Sequence, residues 1–123
     1  MLKVHARKFG EVAILCLQGR IVNGETATLR RAVILQPNGG MVVLDLARVS
    51  TIDAGGLGVL LELRQQTESG GGRLKLMNVT RLVRRVLEIT RLDSVFEITS
   101  ARELFPVAVP GRSASTAQFA TCT

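Results

Sequence analysis

Two uninterrupted apolar runs constrain this chain most: Val12-Ala13-Ile14-Leu15-Cys16-Leu17 and Met41-Val42-Val43-Leu44-Asp45-Leu46. A strand that is apolar at every position is covered on both faces, the habit of parallel sheets under helices. Between the two runs lies a stretch of helical period. It opens at Asn23 or Gly24, turns Leu29, Ala32 and Val33 inward and Arg30 and Arg31 to water, and stops before Pro37-Asn38-Gly39-Gly40. A strand, helix, strand order of this length is a right-handed crossover between parallel strands. Leu2 to Phe9 alternates as a half-exposed edge strand, and Gly10-Glu11 is short enough to make it antiparallel to Val12–Leu17.

The pattern then repeats. A second helix is predicted over Ala54–Ser69, with Leu57, Leu60 and Leu61 on its apolar face and Gly70-Gly71-Gly72 as its stop. Arg73–Met77 follows as a strand, and a third helix, capped by Asn78 or Thr80, turns Leu82, Val83, Val86 and Leu87 inward. Phe96–Ile98 reads as a short last strand and Ser100–Phe105 as a short last helix. The expected architecture is α/β: a mostly parallel sheet of four to five strands with an antiparallel N-terminal edge strand and helices packed against it. Residues 1–105 form one domain in this reading. Residues 106–123, with Pro106, Pro110 and a run of small residues, form a flexible tail.

Composition narrows the function. No apolar run approaches the roughly 18 residues that span a bilayer, and Met1-Leu2-Lys3-Val4-His5 carries charge where a secretory leader is apolar. A cytoplasmic protein without membrane insertion is expected. Cys16 and Cys122 make no framework of bridges or ligands, and Cys16 reads as a core thiol. The net charge of +6 raises the question of nucleic acid, but there is no Trp or Tyr to stack on bases and the cations are scattered, so direct nucleic-acid binding is not expected. The one cluster is Arg81, Arg84, Arg85 and Arg91, read either as a solvated face or as a dock for an acidic partner. His5, the only histidine, has no partner for a triad, and no grouping of residues offers a metal or cofactor site. No catalytic residue is assigned.

The unusual segment is Val49-Ser50-Thr51-Ile52-Asp53-Ala54-Gly55-Gly56-Leu57-Gly58, beyond the carboxyl end of the second buried strand. Ligands and partners of open α/β sheets dock there. Asp53 is placed to cap the second helix. Gly55, Gly56 and Gly58 leave its first turn without side-chain bulk, open to close approach by another group. A phosphate cradle is disfavoured, because the spacing is neither a dinucleotide fingerprint nor a P-loop and Asp53 repels anions.

With its surroundings this segment resembles the STAS domain, the family of anti-sigma-factor antagonists. The residues that carry the likeness are Val43-Leu44-Asp45-Leu46, Ile52 to Leu60 against the family's D-S-S-G-L-G-x-L, Gly71 to Leu76 against G-G-x-L-x-L, and Leu87 to Leu92 with Val95 to Ile98. The resemblance implies a domain that binds a kinase-like anti-sigma factor and is released when that kinase phosphorylates a serine of D-S-S-G. Here the phosphoacceptor position falls on Gly55, and the family's acidic residue near the end of the second strand falls on Val22. Ser50 and Thr51 are the nearest substitute hydroxyls, though as loop residues they also suit backbone capping. The implied partner-binding surface is Asn23, Gly24, Thr51, Asp53, Ala54, Gly55, Gly56 and Leu57. Two other roles known among lone STAS domains fit a missing hydroxyl: the accessory subunit of an ABC ATPase in phospholipid transport, and a stressosome-like scaffold. A homodimer is compatible with any of them.

Overall fold

The structure, a computed structural model, describes residues 1–104. Its elements in chain order are β1 (Lys3–Phe9), β2 (Val12–Ile21), α1 (Ala27–Ile34), β3 (Met41–Ile52), α2 (Ala54–Ser69), β4 (Arg73–Met77), α3 (Arg81–Ile89), β5 (Glu97–Thr99) and α4 (Ala101–Leu104). One sheet holds all five strands in the order β1-β2-β3-β4-β5; β1 is antiparallel to β2 and the other pairs are parallel. That is the architecture expected from the apolar runs. The tail predicted over 106–123 lies outside the described residues.

Both faces of the central strands are covered, as uninterrupted apolar sequence requires. On one face Leu15, Leu17, Leu44, Leu46, Leu74 and Leu76 pack with Leu29 and Val33 of α1, Leu57, Leu60 and Leu63 of α2, and Val83 and Leu87 of α3. On the other, Ile14, Cys16, Val43 and Met77 form a smaller cluster joined by Phe9, Val12, Met41 and Leu104. Each fully buried leucine contributes about 1.5–3 kcal/mol relative to an exposed one. The free core thiol expected at Cys16 is not found, for the residue is buried and disulfide-bonded.

The structure departs from the sequence reading most where β2 and β3 run past their apolar cores. β4 ends at Met77, opposite Asp45, whereas β2 and β3 continue together to Ile21 and Ile52 through register shifts between Cys16 and Gln18 and between Gly19 and Arg20. Beyond β4 the two strands are a ribbon exposed on one side, so Gln18, Arg20, Ala47, Arg48 and Ser50 are exposed among buried Ile21, Val49 and Ile52. Ser50 and Thr51 are therefore strand residues, not loop residues.

Two helix readings also change. α1 begins at Ala27, not at Asn23 or Gly24. Residues 22–25 form a turn closed by Glu25 N–H donating to the Val22 carbonyl at 3.0 Å, and Gly24 takes a φ of +86° that only glycine adopts readily. In α3, Val83 and Leu87 are buried and Val86 packs on the core, but Leu82 faces outward.

Asp45 is the one buried carboxylate among the described residues. It is separated from Asp53 by about 25 Å of extended strand, so the two cannot act as a pair. Its Oδ1 accepts from Ala47 N–H at 3.0 Å and Asn78 Nδ2 at 3.3 Å. Burial pushes its pKa up, against those hydrogen bonds and the charge of Arg48. Between the ordinary carboxylate range and this raised value the native state binds more protons than the unfolded chain, so the Asp45 contribution falls as pH rises through that window. Asp45→Asn should flatten that part of the stability curve, measured by urea unfolding from acid to neutral pH. In the same assay Leu60→Ala should cost about 2–5 kcal/mol, and Leu82→Ala little.

Candidate functional site

At the end of the β2–β3 ribbon the chain turns twice, from Ile21 into the turn before α1 and from Ile52 into α2. Asp53 joins the two turns. It is the N-cap of α2 in extended conformation, and its Oδ1 accepts from Gly56 N–H at 2.8 Å. Both carboxylate oxygens also accept from Asn23 N–H, each at 3.1 Å. In return Asp53 N–H donates to the Ile21 carbonyl at 3.3 Å. One carboxylate thus satisfies a helix end and a loop thirty residues away in sequence. The hydrogen bond from Gly56 and then that from Asn23 hold its pKa below the usual carboxylate range, so it is charged wherever the protein is folded at neutral pH.

The glycines take their meaning from this junction. A Cβ on Gly56 would lie 1.9 Å from the Ile21 carbonyl oxygen, and one on Gly55 would lie 2.7 Å from Asn23 Cβ. The close approach expected at this helix start is therefore made by the protein's own β2–α1 turn. Only Gly58 of the three has open space beside it.

The sequence-predicted residues consequently divide. Asn23, Gly24, Asp53 and Ala54 are exposed, with Ser50 on the ribbon beside them; Thr51 and Gly55 are half-buried; Gly56 and Leu57 are interior. The first group makes an exposed polar corner of backbone and carboxylate. Ser50 Oγ donates to the Gly19 carbonyl at 3.2 Å across the ribbon. Sequence reasoning assigned the cap to Asp53 but missed its second hold on Asn23, which no local pattern encodes. A cleft of about 460 Å³ lies at the opposite end of the sheet, between the β1–β2 turn and residues 36–42. It contributes nothing to the Asp53 corner.

The fold and the junction together define a class. Residues 3–105 match the sequence profile of the STAS domain, and the chain belongs to that family. It is 32% identical over 115 residues, 89% of this chain and 99% of the other, to the candidate anti-sigma factor antagonist BtrV of Bordetella bronchiseptica. The crystal structure of a candidate anti-sigma factor antagonist from Thermotoga maritima superposes with a TM-score of 0.69 at 24% identity, covering 77% of this chain and 84% of that one. The antagonist SpoIIAA in its unphosphorylated form shares the fold over 95% of this chain and 97% of its own, with a TM-score of 0.65 and 16% identity. This is a regulatory STAS protein of the anti-sigma factor antagonist family.

The junction makes two glycines of the same helix turn, Gly56 and Gly58, behave oppositely. Gly56→Ala forces a methyl into the Ile21 carbonyl and should cost about 3 kcal/mol or more, whereas Gly58→Ala should stabilise by up to about 1 kcal/mol through helix propensity; denaturant midpoints decide. Asp53→Asn should destabilise at neutral pH. Because a lowered pKa contributes stability that is lost as pH falls, its gap from wild type should narrow below about pH 4.

Proposed function

We propose that this protein is a non-enzymatic anti-sigma factor antagonist that docks a kinase-fold anti-sigma factor through the exposed corner of Asn23, Gly24, Asp53 and Ala54. Capture of the anti-sigma factor frees its sigma factor. The observation that carries the reading is the doubly anchored Asp53. It presents a fixed negative charge and two rigid turns at the end of the sheet where partners of such folds bind. A rigid surface loses little conformational freedom on association.

The same geometry bears on control. In relatives with the D-S-S-G pattern a phosphate of about −1.5 to −2 charges, placed beside a carboxylate within an interface, breaks the complex. Gly55 stands at the position of that serine, and Asn23 occupies the space its side chain would need. The interface is then always competent on its own side, and its occupancy follows the abundance of the protein or the state of its partner. Ser50, bonded across the ribbon, and half-buried Thr51 are poor substitutes as acceptors.

The test is titration calorimetry against a kinase-fold anti-sigma factor from the same genome. Ala54→Glu, at an exposed position, should weaken binding by about tenfold or more without lowering Tm. Gly55→Asp should do so too, at some cost in stability through displacement of Asn23. Unchanged affinity in Ala54→Glu removes this corner from the interface. Binding only to a transporter ATPase would replace the reading with that of an accessory subunit.

A further inference from the structure

The outward face of α3 is not used by the Asp53 junction, and its chemistry is hard to explain as a solvated surface. Arg81, Arg84 and Arg85 are exposed, all within the first five residues of the helix. The first turn carries no acid, so these cations sit at the positive end of the helix dipole. Arg81 and Arg85 are also a like-charged i, i+4 pair, which opposes helix formation and is only partly offset by exposed Glu88, four residues after Arg84. Among the described residues the ion pairs of Arg20, Arg30, Arg64 and Lys75 take up Glu25, Glu62, Glu68 and Glu97, and none reaches α3. Two large apolar side chains share this face: Leu82 is 49% exposed and Ile89 is 73% exposed. At helical spacing they lie one above the other along one edge, with Arg81 and Arg85 beside them and Arg84 beyond.

We propose that this face is a docking surface for an acidic amphipathic segment of a partner protein. Carboxylates would pair with Arg81, Arg84 and Arg85, and apolar side chains two helical turns apart would cover Leu82 and Ile89. Charge complementarity selects that occupant: a local excess of arginine, each able to hold a carboxylate bidentately, beside an apolar strip. A membrane is a poorer fit. α3 is pinned to the core by fully buried Val83 and Leu87, so it cannot roll to insert, and the chain has no Trp or Tyr to anchor at an interface. α3 itself carries no aromatic ring to stack on bases, which disfavours a polynucleotide. The cost in helix stability then reflects a surface kept for binding.

The probe is a fluorescently labelled helical peptide built from Glu and Leu, titrated into the full chain at low and at moderate salt with anisotropy as readout. The triple variant Arg81→Gln, Arg84→Gln, Arg85→Gln should weaken binding about tenfold or more and reduce its salt dependence. Leu82→Ser with Ile89→Ser should also weaken it while leaving the salt dependence in place. A charge-matched control at exposed scattered sites, Lys3→Gln, Arg31→Gln, Arg48→Gln, should stay within about twofold of wild type if the patch and not net charge binds. Arg81→Glu should lose binding yet raise Tm by a few degrees. The proposal is overturned if the peptide does not bind wild type, or if the control triple weakens binding as much as the α3 triple. Tighter binding of phosphatidylserine vesicles or of an oligonucleotide than of the peptide would overturn it too.

Discussion

The close approach of Gly56 to the Ile21 carbonyl is the constraint on which the Asp53 corner of this molecule depends. It sets the start of α2 against the end of β2 at a separation that leaves no room for even a methyl group. With the two backbones that close, Asp53 can reach a helix end and the Asn23 turn with one side chain. The exposed corner is thus the outside of a tightly packed joint. Its rigidity and its exposure have the same origin.

A second consequence concerns charge. Asp53 is held ionised by backbone donors and has no need of a cation, whereas the three arginines at the start of α3 outnumber the helix's one carboxylate, Glu88. The described residues therefore carry two exposed surfaces of opposite character: a fixed carboxylate among backbone turns, and a basic helix with an apolar edge. Those two surfaces also differ in their effect on folding, since the Asp53 junction stabilises the helix it caps and the arginine cluster opposes the helix that carries it.

Much of this fold is legible in the sequence. Val12–Leu17 and Met41–Leu46 announced buried parallel strands because a strand covered on both faces has no polar positions, and the limits of α2 followed from Asp53 and the Gly70–Gly72 stop. The extension of β2 and β3 to Ile21 and Ile52 was not legible. A ribbon exposed on one side carries Gln18, Arg20, Arg48 and Ser50, which look like loop. The start of α1 was misplaced for a related reason: Asn23 suits a helix cap, but its N–H is engaged by Asp53 from across the sheet. Leu82 fitted an inward-facing pattern, yet the helix needs only Val83, Val86 and Leu87 to seat itself.

By itself the sequence determined the elements, the order of strands and helices, the capping role of Asp53 and the absence of a hydroxyl at Gly55, because these depend on local periodicity and residue chemistry. Only the tertiary structure decided what lies beside the glycines. Whether Gly55 and Gly56 admit a visitor or press against the chain's own turn is a matter of contacts with Asn23 and Ile21, more than thirty residues away in sequence, which no periodicity records. That distinction turned a glycine-lined opening into a closed joint, and moved the accessible surface to Asn23, Gly24, Asp53 and Ala54.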